Sequence, residues 1–137
     1  MGEKLSVDII ARKLSPRILC LYGDLGSGKT TFIQGFAKGL GITKRILSPT
    51  FIMMRQYQIT NHKSQITNLF HIDLYRIDDE KGTESLGLEE IWSDPNNIVA
   101  IEWPEKIEKI LPKKRIDIRF EYLDESSRQL TISNIAI

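Results

Sequence analysis

Gly23-Asp24-Leu25-Gly26-Ser27-Gly28-Lys29-Thr30 places glycine, lysine and a hydroxyl residue at the G-x-x-x-x-G-K-[ST] spacing, and the chemistry open to such a stretch is phosphate binding. The glycines permit a tight turn whose backbone N–H groups converge on phosphate oxygens, and a helix opening near Lys29 adds the positive end of its dipole. Lys29 is then placed to reach β- and γ-phosphates, and the Thr30 hydroxyl to ligate Mg2+. With glycine at about 7% of an average chain, the pattern arises by accident roughly once in 200 chains of this length.

Two carboxylates stand at the ends of apolar runs. Leu69-Phe70-His71-Ile72-Asp73-Leu74-Tyr75-Arg76 delivers Asp73, and Ile98-Val99-Ala100-Ile101 ends on Glu102-Trp103-Pro104. In open α/β sheets ligands gather beyond the carboxyl ends of the strands, which aims Asp73 at a bound nucleotide; an ion pair with Arg76 or a local cap is the alternative. Glu102 repeats that logic, and a carboxylate buried there without a cation is costly. It reads as a metal ligand, directly or through water, with a structural salt bridge to a lysine as the alternative. His71 lies two residues before Asp73 on the same strand face and reads as structural. Thr50, in Ser48-Pro49-Thr50-Phe51, is a candidate for contact with a γ-phosphate or an attacking water, and a local turn role is equally open. No His, Cys or acidic pair has zinc-site spacing.

The elements that must position these groups are legible in part. Ser6 can cap a short helix over Val7 to Leu14, which Ser15-Pro16-Arg17 ends. Arg17 to Tyr22 is apolar at nearly every residue, as expected of a central strand covered on both faces. After the loop, Phe32, Ile33, Phe36, Ala37 and Leu40 share one helical face, and Gly41 is placed as a C-cap. Phe51 to Ile59 and Gln65 to Tyr75 have strand character around the turn-rich Thr60 to Ser64, which predicts a hairpin with a solvated His62. Thr83 to Trp92 predicts a short helix or two, with Leu86, Leu88, Ile91 and Trp92 on the apolar side. Pro104 can open a helix from Glu105 to Leu111. Arg115 to Leu123 and Gln129 to Ile137 predict a closing hairpin. Alternation of Ile116, Ile118, Phe120 and Tyr122 with Asp117, Arg119 and Glu121 predicts that its sheet has one wet face.

The 137 residues are 41% hydrophobic and 27% charged, an ordinary globular composition that supports one domain with one core. Lysine plus arginine, 19, nearly balance aspartate plus glutamate, 18, so no overall basic field advertises nucleic-acid binding. Lys113, Lys114 and Arg115 form a short basic run that reads as solvated surface, with contact to an acidic partner as the alternative. Cys20, the only cysteine, excludes an intrachain disulfide and is expected to be a buried thiol. Neither a signal peptide nor an apolar run near 18 residues is present, so a soluble, cytoplasmic protein is expected.

Taken together, Leu21 to Phe32, Ser48-Pro49-Thr50-Phe51, His71 to Arg76 and Ile101-Glu102-Trp103-Pro104 resemble the TsaE family, also called YjeE, in order and approximate spacing. The last three segments are not general features of phosphate-binding loops, and the resemblance covers most of the chain. It implies an α/β fold of the P-loop NTPase type: a single domain, 1–137, with a central mixed β-sheet and helices on both faces. It further implies an ATP- and Mg2+-binding ATPase subunit of the bacterial machinery that makes threonylcarbamoyladenosine at position 37 of tRNA. The protein would dock on the TsaB–TsaD pair, with tRNA reached only through that complex. On that pattern Asp24, Leu25, Gly26, Ser27, Gly28, Lys29, Thr30 and Thr31 bind the nucleotide, and Thr30 and Glu102 hold Mg2+. Lys29, Thr50, Asp73 and Glu102 serve hydrolysis, and Trp103 lies beside the site. Family members often carry an extra segment before the first helix, whereas this chain begins almost at that helix.

Hydrolysis needs charge neutralisation and an oriented water; Lys29, the loop amides and Mg2+ would supply the first, Glu102 or Asp73 the second. Arg45, Arg55 and Arg76 lie near the relevant segments, but none is assignable as an arginine finger, so turnover is expected to be slow alone and faster in a complex. A small-molecule kinase is the first alternative, disfavoured because no arginine-rich lid segment is apparent. A GTPase is disfavoured by the lack of an Asn-Lys-x-Asp segment. A nucleotide-gated binding module, with ATP as conformational ligand rather than fuel, is the rival from another class.

Overall fold

A computed structural model describes residues 17–24, 28–44, 46, 54–59, 66–78, 86–124 and 127–133. The helix expected over 7–14, loop positions Leu25, Gly26 and Ser27, Thr50, and the turn carrying His62 lie outside the described residues.

Six strands form one sheet: β1 (Ile18–Tyr22), β2 (Met54–Gln58), β3 (Asn68–Asp73), β4 (Asn97–Glu102), β5 (Ile116–Asp124) and β6 (Ser127–Ser133). Their order across the sheet is β2-β3-β4-β1-β5-β6. β3, β4, β1 and β5 run parallel, and β2 and β6 pair antiparallel on the two edges. Both expected hairpins are therefore present, and they supply the edges of the mixed sheet. The two central strands, β1 and β4, are buried and apolar along nearly their whole length because both of their faces are covered. β4 is buried at every residue.

Strand parity divides the apolar residues into two layers. Leu19 and Leu21 of β1 face helix α1 (Lys29–Gly39), whose Phe32, Ile33, Phe36 and Ala37 pack with Ile98, Ala100, Ile116, Ile118 and Phe120. Phe32 anchors this layer with its ring edge-on to Phe120, centroids 5.6 Å apart, so truncating Phe36 beneath it, fully buried, would cost about 3–5 kcal/mol. Ile18 and Cys20 point the other way, toward Leu88 of helix α2 (Leu88–Ser93) and toward Ile107 and Leu111. Leu86, Ile91 and Trp92 pack against that second layer half-buried. The single core expected from composition is thus two cores separated by the sheet, with helices on both faces as expected.

Helix α1 ends as the sequence foretold. Gly41 takes φ 85, its N–H reaches the Lys38 carbonyl at 3.0 Å, and the Ile42 N–H reaches Ala37 at 3.0 Å, which satisfies the last carbonyls of the helix. The helix expected after Pro104 is present over Pro104–Ile110 in 3-10 form, broken at Ile107 (φ −129). One expectation needs correction. The wet face of β5 is not uniformly wet. Arg119 and Glu121 are exposed, but Asp117 is buried, bonded by Arg115 Nε at 2.9 Å. At the far end Tyr122 and Leu123 are both exposed, since the hairpin runs on past the helices that cover the sheet. Among the described residues no helix is long and apolar enough to cross a membrane.

Candidate phosphate and metal site

The site lies where β1, β3 and β4 end. Register fixes this: Leu21 stands opposite Glu102, and Glu102 opposite Asp73, so β3 and β4 finish level and β1 runs one residue further, to Tyr22. Asp73, Glu102 and His71 share the α1 face with Leu19 and Leu21. From β1 the chain passes through Gly23 and Asp24 toward the loop, and re-emerges at Gly28 with φ 103, a left-handed conformation that favours glycine. Gly28 accepts the first helical bond from the Phe32 N–H at 3.0 Å. Lys29, Thr30 and Thr31 therefore form the opening turn of α1, where backbone N–H groups point outward.

Lys29 is buried, Thr30 and Thr31 exposed. Its Nζ donates to the Gly23 carbonyl at 2.6 Å and lies 4.2 Å from the centroid of the Trp103 ring. Burial holds the Lys29 pKa below the ordinary lysine value; the charges of Glu102, Asp73, Glu105 and Asp24 act against that shift. Asp73 moves oppositely. Burial raises its pKa, and the charge of Glu102 adds to the rise, while the Tyr75 N–H, His71 and Lys29 oppose it. Lys29, Asp73 and Glu102 thus sit within one electrostatic neighbourhood.

Asp73 Oδ1 accepts the Tyr75 N–H at 3.0 Å, a local cap of the kind given as its alternative role. It occupies one carboxylate oxygen. Glu102 is buried, and its Oε2 accepts from His71 Nε2 at 2.7 Å. The partner foreseen for Glu102 as an alternative was a lysine; it is the histidine that reads from sequence as a core residue. Immediately after Glu102 the chain turns sharply, with Trp103 at φ 60. A residue before proline ordinarily stays extended, so this left-handed turn is held by its surroundings: Trp103 lies between Lys29 and Tyr75, whose ring centroid is 5.2 Å away. Such backbone strain concentrates at functional sites.

Sequence reasoning missed the roles of Tyr75 and the Gly23 carbonyl. Parity could have found Tyr75, placed beyond Asp73 at the same strand end.

Among the described residues no three His, Cys, Asp or Glu side chains converge into a metal cage. The donors present are hard oxygens, the Thr30 hydroxyl and the Glu102 carboxylate, and they fit Mg2+, which takes one or two protein ligands and completes its shell with water and phosphate oxygens. Zinc or a soft metal does not fit this set.

A strand, a glycine turn and a helix carrying Lys29 at its start, beside carboxylates ending two neighbouring parallel strands, define an α/β protein of P-loop-like fold. The crystal structure of YdiB from Bacillus subtilis has the same fold, with a TM-score of 0.72 at 30% identity over 98% of this chain and 79% of that one. Residues 2–130 match the family model for threonylcarbamoyl adenosine biosynthesis protein TsaE, and the chain belongs to the TsaE family. It is similar to the tRNA threonylcarbamoyladenosine biosynthesis protein TsaE of Bacillus subtilis, 39% identical over 86% of this chain and 70% of the relative. The like-named proteins of a Nostoc species, 42% identical over 85% and 69%, and of Haemophilus influenzae, 32% over 91% and 76%, are also similar.

Proposed function

We propose that this protein is a Mg2+-dependent ATPase subunit of the machinery for tRNA threonylcarbamoyladenosine synthesis, and that it acts with TsaB and TsaD to permit repeated turnover. The observation that carries the reading is the placement of Lys29, Asp73 and Glu102 in one neighbourhood at the ends of β1, β3 and β4. Family membership supports the biosynthetic role, and the site supports the chemistry.

ATP and Mg2+ would bring the phosphoanhydride to be cleaved and the divalent charge that offsets its negative oxygens. Lys29 exchanges the Gly23 carbonyl for phosphate oxygens, a charge-assisted contact stronger than the one it gives up. The N–H groups of the first turn of α1 bind from the same side. Thr30 and Glu102 hold the metal, and the Asp73 oxygen not bonded to Tyr75 orients the attacking water. No arginine among these groups offsets charge developing in the transition state, so hydrolysis is slow until a partner docks.

Reconstitution tests the reading. With TsaB and TsaD present, tRNA modification should continue beyond one round only when this chain and ATP are added. A single round regardless of this chain would overturn it. A non-hydrolysable analogue supporting full turnover would transfer the role from hydrolysis to binding.

A further inference from the structure

His71 is buried to 2% exposure in the middle of β3, where an aliphatic residue would fill the core at lower cost. Among the described residues its buried Nδ1 has no hydrogen-bond partner, which is unfavourable for any buried polar atom. Stability therefore does not account for an imidazole at this position. Its other nitrogen does: Nε2 lies 2.7 Å from Glu102 Oε2. The contact is diagonal, because the residue beside His71 on β4 is Ala100, and Glu102 lies two positions further on. Ala100 presents only a methyl group on that face, so the ring can lean across it toward the carboxylate. On the other side the neighbour is Arg55, whose Nε is likewise buried without a hydrogen-bond partner among the described residues.

We propose that His71 is a positioning residue for Mg2+: by donating Nε2–H to Oε2 it fixes the rotamer of Glu102 and turns Oε1 toward the metal. This rests on the reading of Glu102 as a ligand. An imidazole can donate this hydrogen bond without bringing a permanent charge, whereas an arginine or lysine in its place would neutralise the carboxylate that the cation needs. Groups that orient ligands in this way contribute about 10- to 100-fold in metal affinity.

The test uses the full chain with a non-hydrolysable ATP analogue and Mn2+ as the probe, its affinity read by electron paramagnetic resonance, alongside calorimetric nucleotide affinity in EDTA. His71→Gln keeps an N–H donor at nearly the Nε2 position, His71→Asn is too short to reach Glu102, and His71→Leu has no donor. The expected result is a loss of about 10- to 100-fold in Mn2+ affinity for the Asn and Leu variants, recovery to within about threefold by Gln, and unchanged metal-free nucleotide affinity in all three. If His71→Leu fails to fold, the Gln and Asn pair carries the comparison. Wild-type Mn2+ affinity in His71→Asn, equal losses in Gln and Asn, or a parallel loss of metal-free nucleotide affinity would each overturn the positioning role. Glu102→Ala separates the two levels: wild-type Mn2+ affinity there brings down the ligand assignment and the positioning role with it, whereas a weakened Glu102→Ala beside an unaffected His71→Asn brings down the positioning role alone.

Discussion

Glu102 and Asp117 are both buried carboxylates, 6% and 4% exposed, on strands that flank β1 on either side, and they are held in opposite ways. Asp117 faces the α2 layer and receives Arg115 Nε at 2.9 Å; that guanidinium is itself tied by Nη1 to the Pro112 carbonyl at 2.9 Å. Its charge is answered by a dedicated cation. Glu102 faces the α1 layer and receives a histidine, with Lys29 nearby but bonded elsewhere. The difference separates a carboxylate committed to the fold from one that, on the proposed reading, takes a divalent cation. Desolvating a carboxylate is costly in either case, so only the second arrangement needs a functional reason.

The sharpest way to break this contrast is Lys29→Ala, expected to lower ATP affinity more than 100-fold (about 3 kcal/mol) in calorimetric titration while leaving the two cores untouched. Next comes a pair. Glu102→Ala should cut Mg2+-dependent phosphate release about 100-fold or more yet keep much of the ATP affinity and shift the melting temperature little. Asp117→Ala should do the reverse, costing about 2 kcal/mol after allowance for the partly exposed Arg115, or roughly 6–10 °C, with hydrolysis per folded molecule unchanged. Loss of both properties in both variants would erase the distinction between the two sides.

A smaller effect is expected at Asp73. Its raised pKa means that the folded state holds the proton more tightly than the unfolded chain does. Stability from this group is therefore fully present below the unfolded carboxylate pKa and is lost as pH rises through the folded value. Asp73→Asn should raise the melting temperature at neutral pH by about 3 °C, and the gain should vanish in acid. Equal gains at both pH values would show that burial is not what strains the carboxylate. The smallest test concerns Cys20, fully buried on the α2 side, where burial first and the Asp117 charge second push the thiol up to about 12. Iodoacetamide near pH 8 should label denatured protein and leave native protein unlabelled.

How much of this could be read in advance followed the reach of each signal. Asp73 and Glu102 were legible because each closes a run of apolar residues, and a period of two assigns the face. The two hairpins were legible from turn residues between alternating runs, and the end of α1 from Gly41. The diagonal bond from His71 to Glu102 was not, because it depends on the register between strands 24 residues apart along the chain, from Asp73 to Asn97. Nor was the burial of Asp117, since its polar spacing is that of a wet strand and its partner Arg115 read as part of a solvated basic run. The turn at Trp103 runs against the local rule for a residue before proline and is set by the rings and lysine around it.

At the opposite end of the sheet from the carboxylates, β3 and β4 begin on a facing pair of asparagines: Asn68 Nδ2 donates to Asn97 Oδ1 at 3.1 Å, and Asn97 Nδ2 anchors to the Ile91 carbonyl at 2.9 Å. Five residues later, about 17 Å along each strand, the same ladder arrives at Asp73 facing Glu102. The amides serve as a zero mark from which the acidic pair is measured. A one-residue deletion within either strand would leave every atom type available and still swing one acid through the sheet to the side where α2 packs. The end that carries the acidic pair is therefore calibrated from its far edge, by side chains about 17 Å away from it.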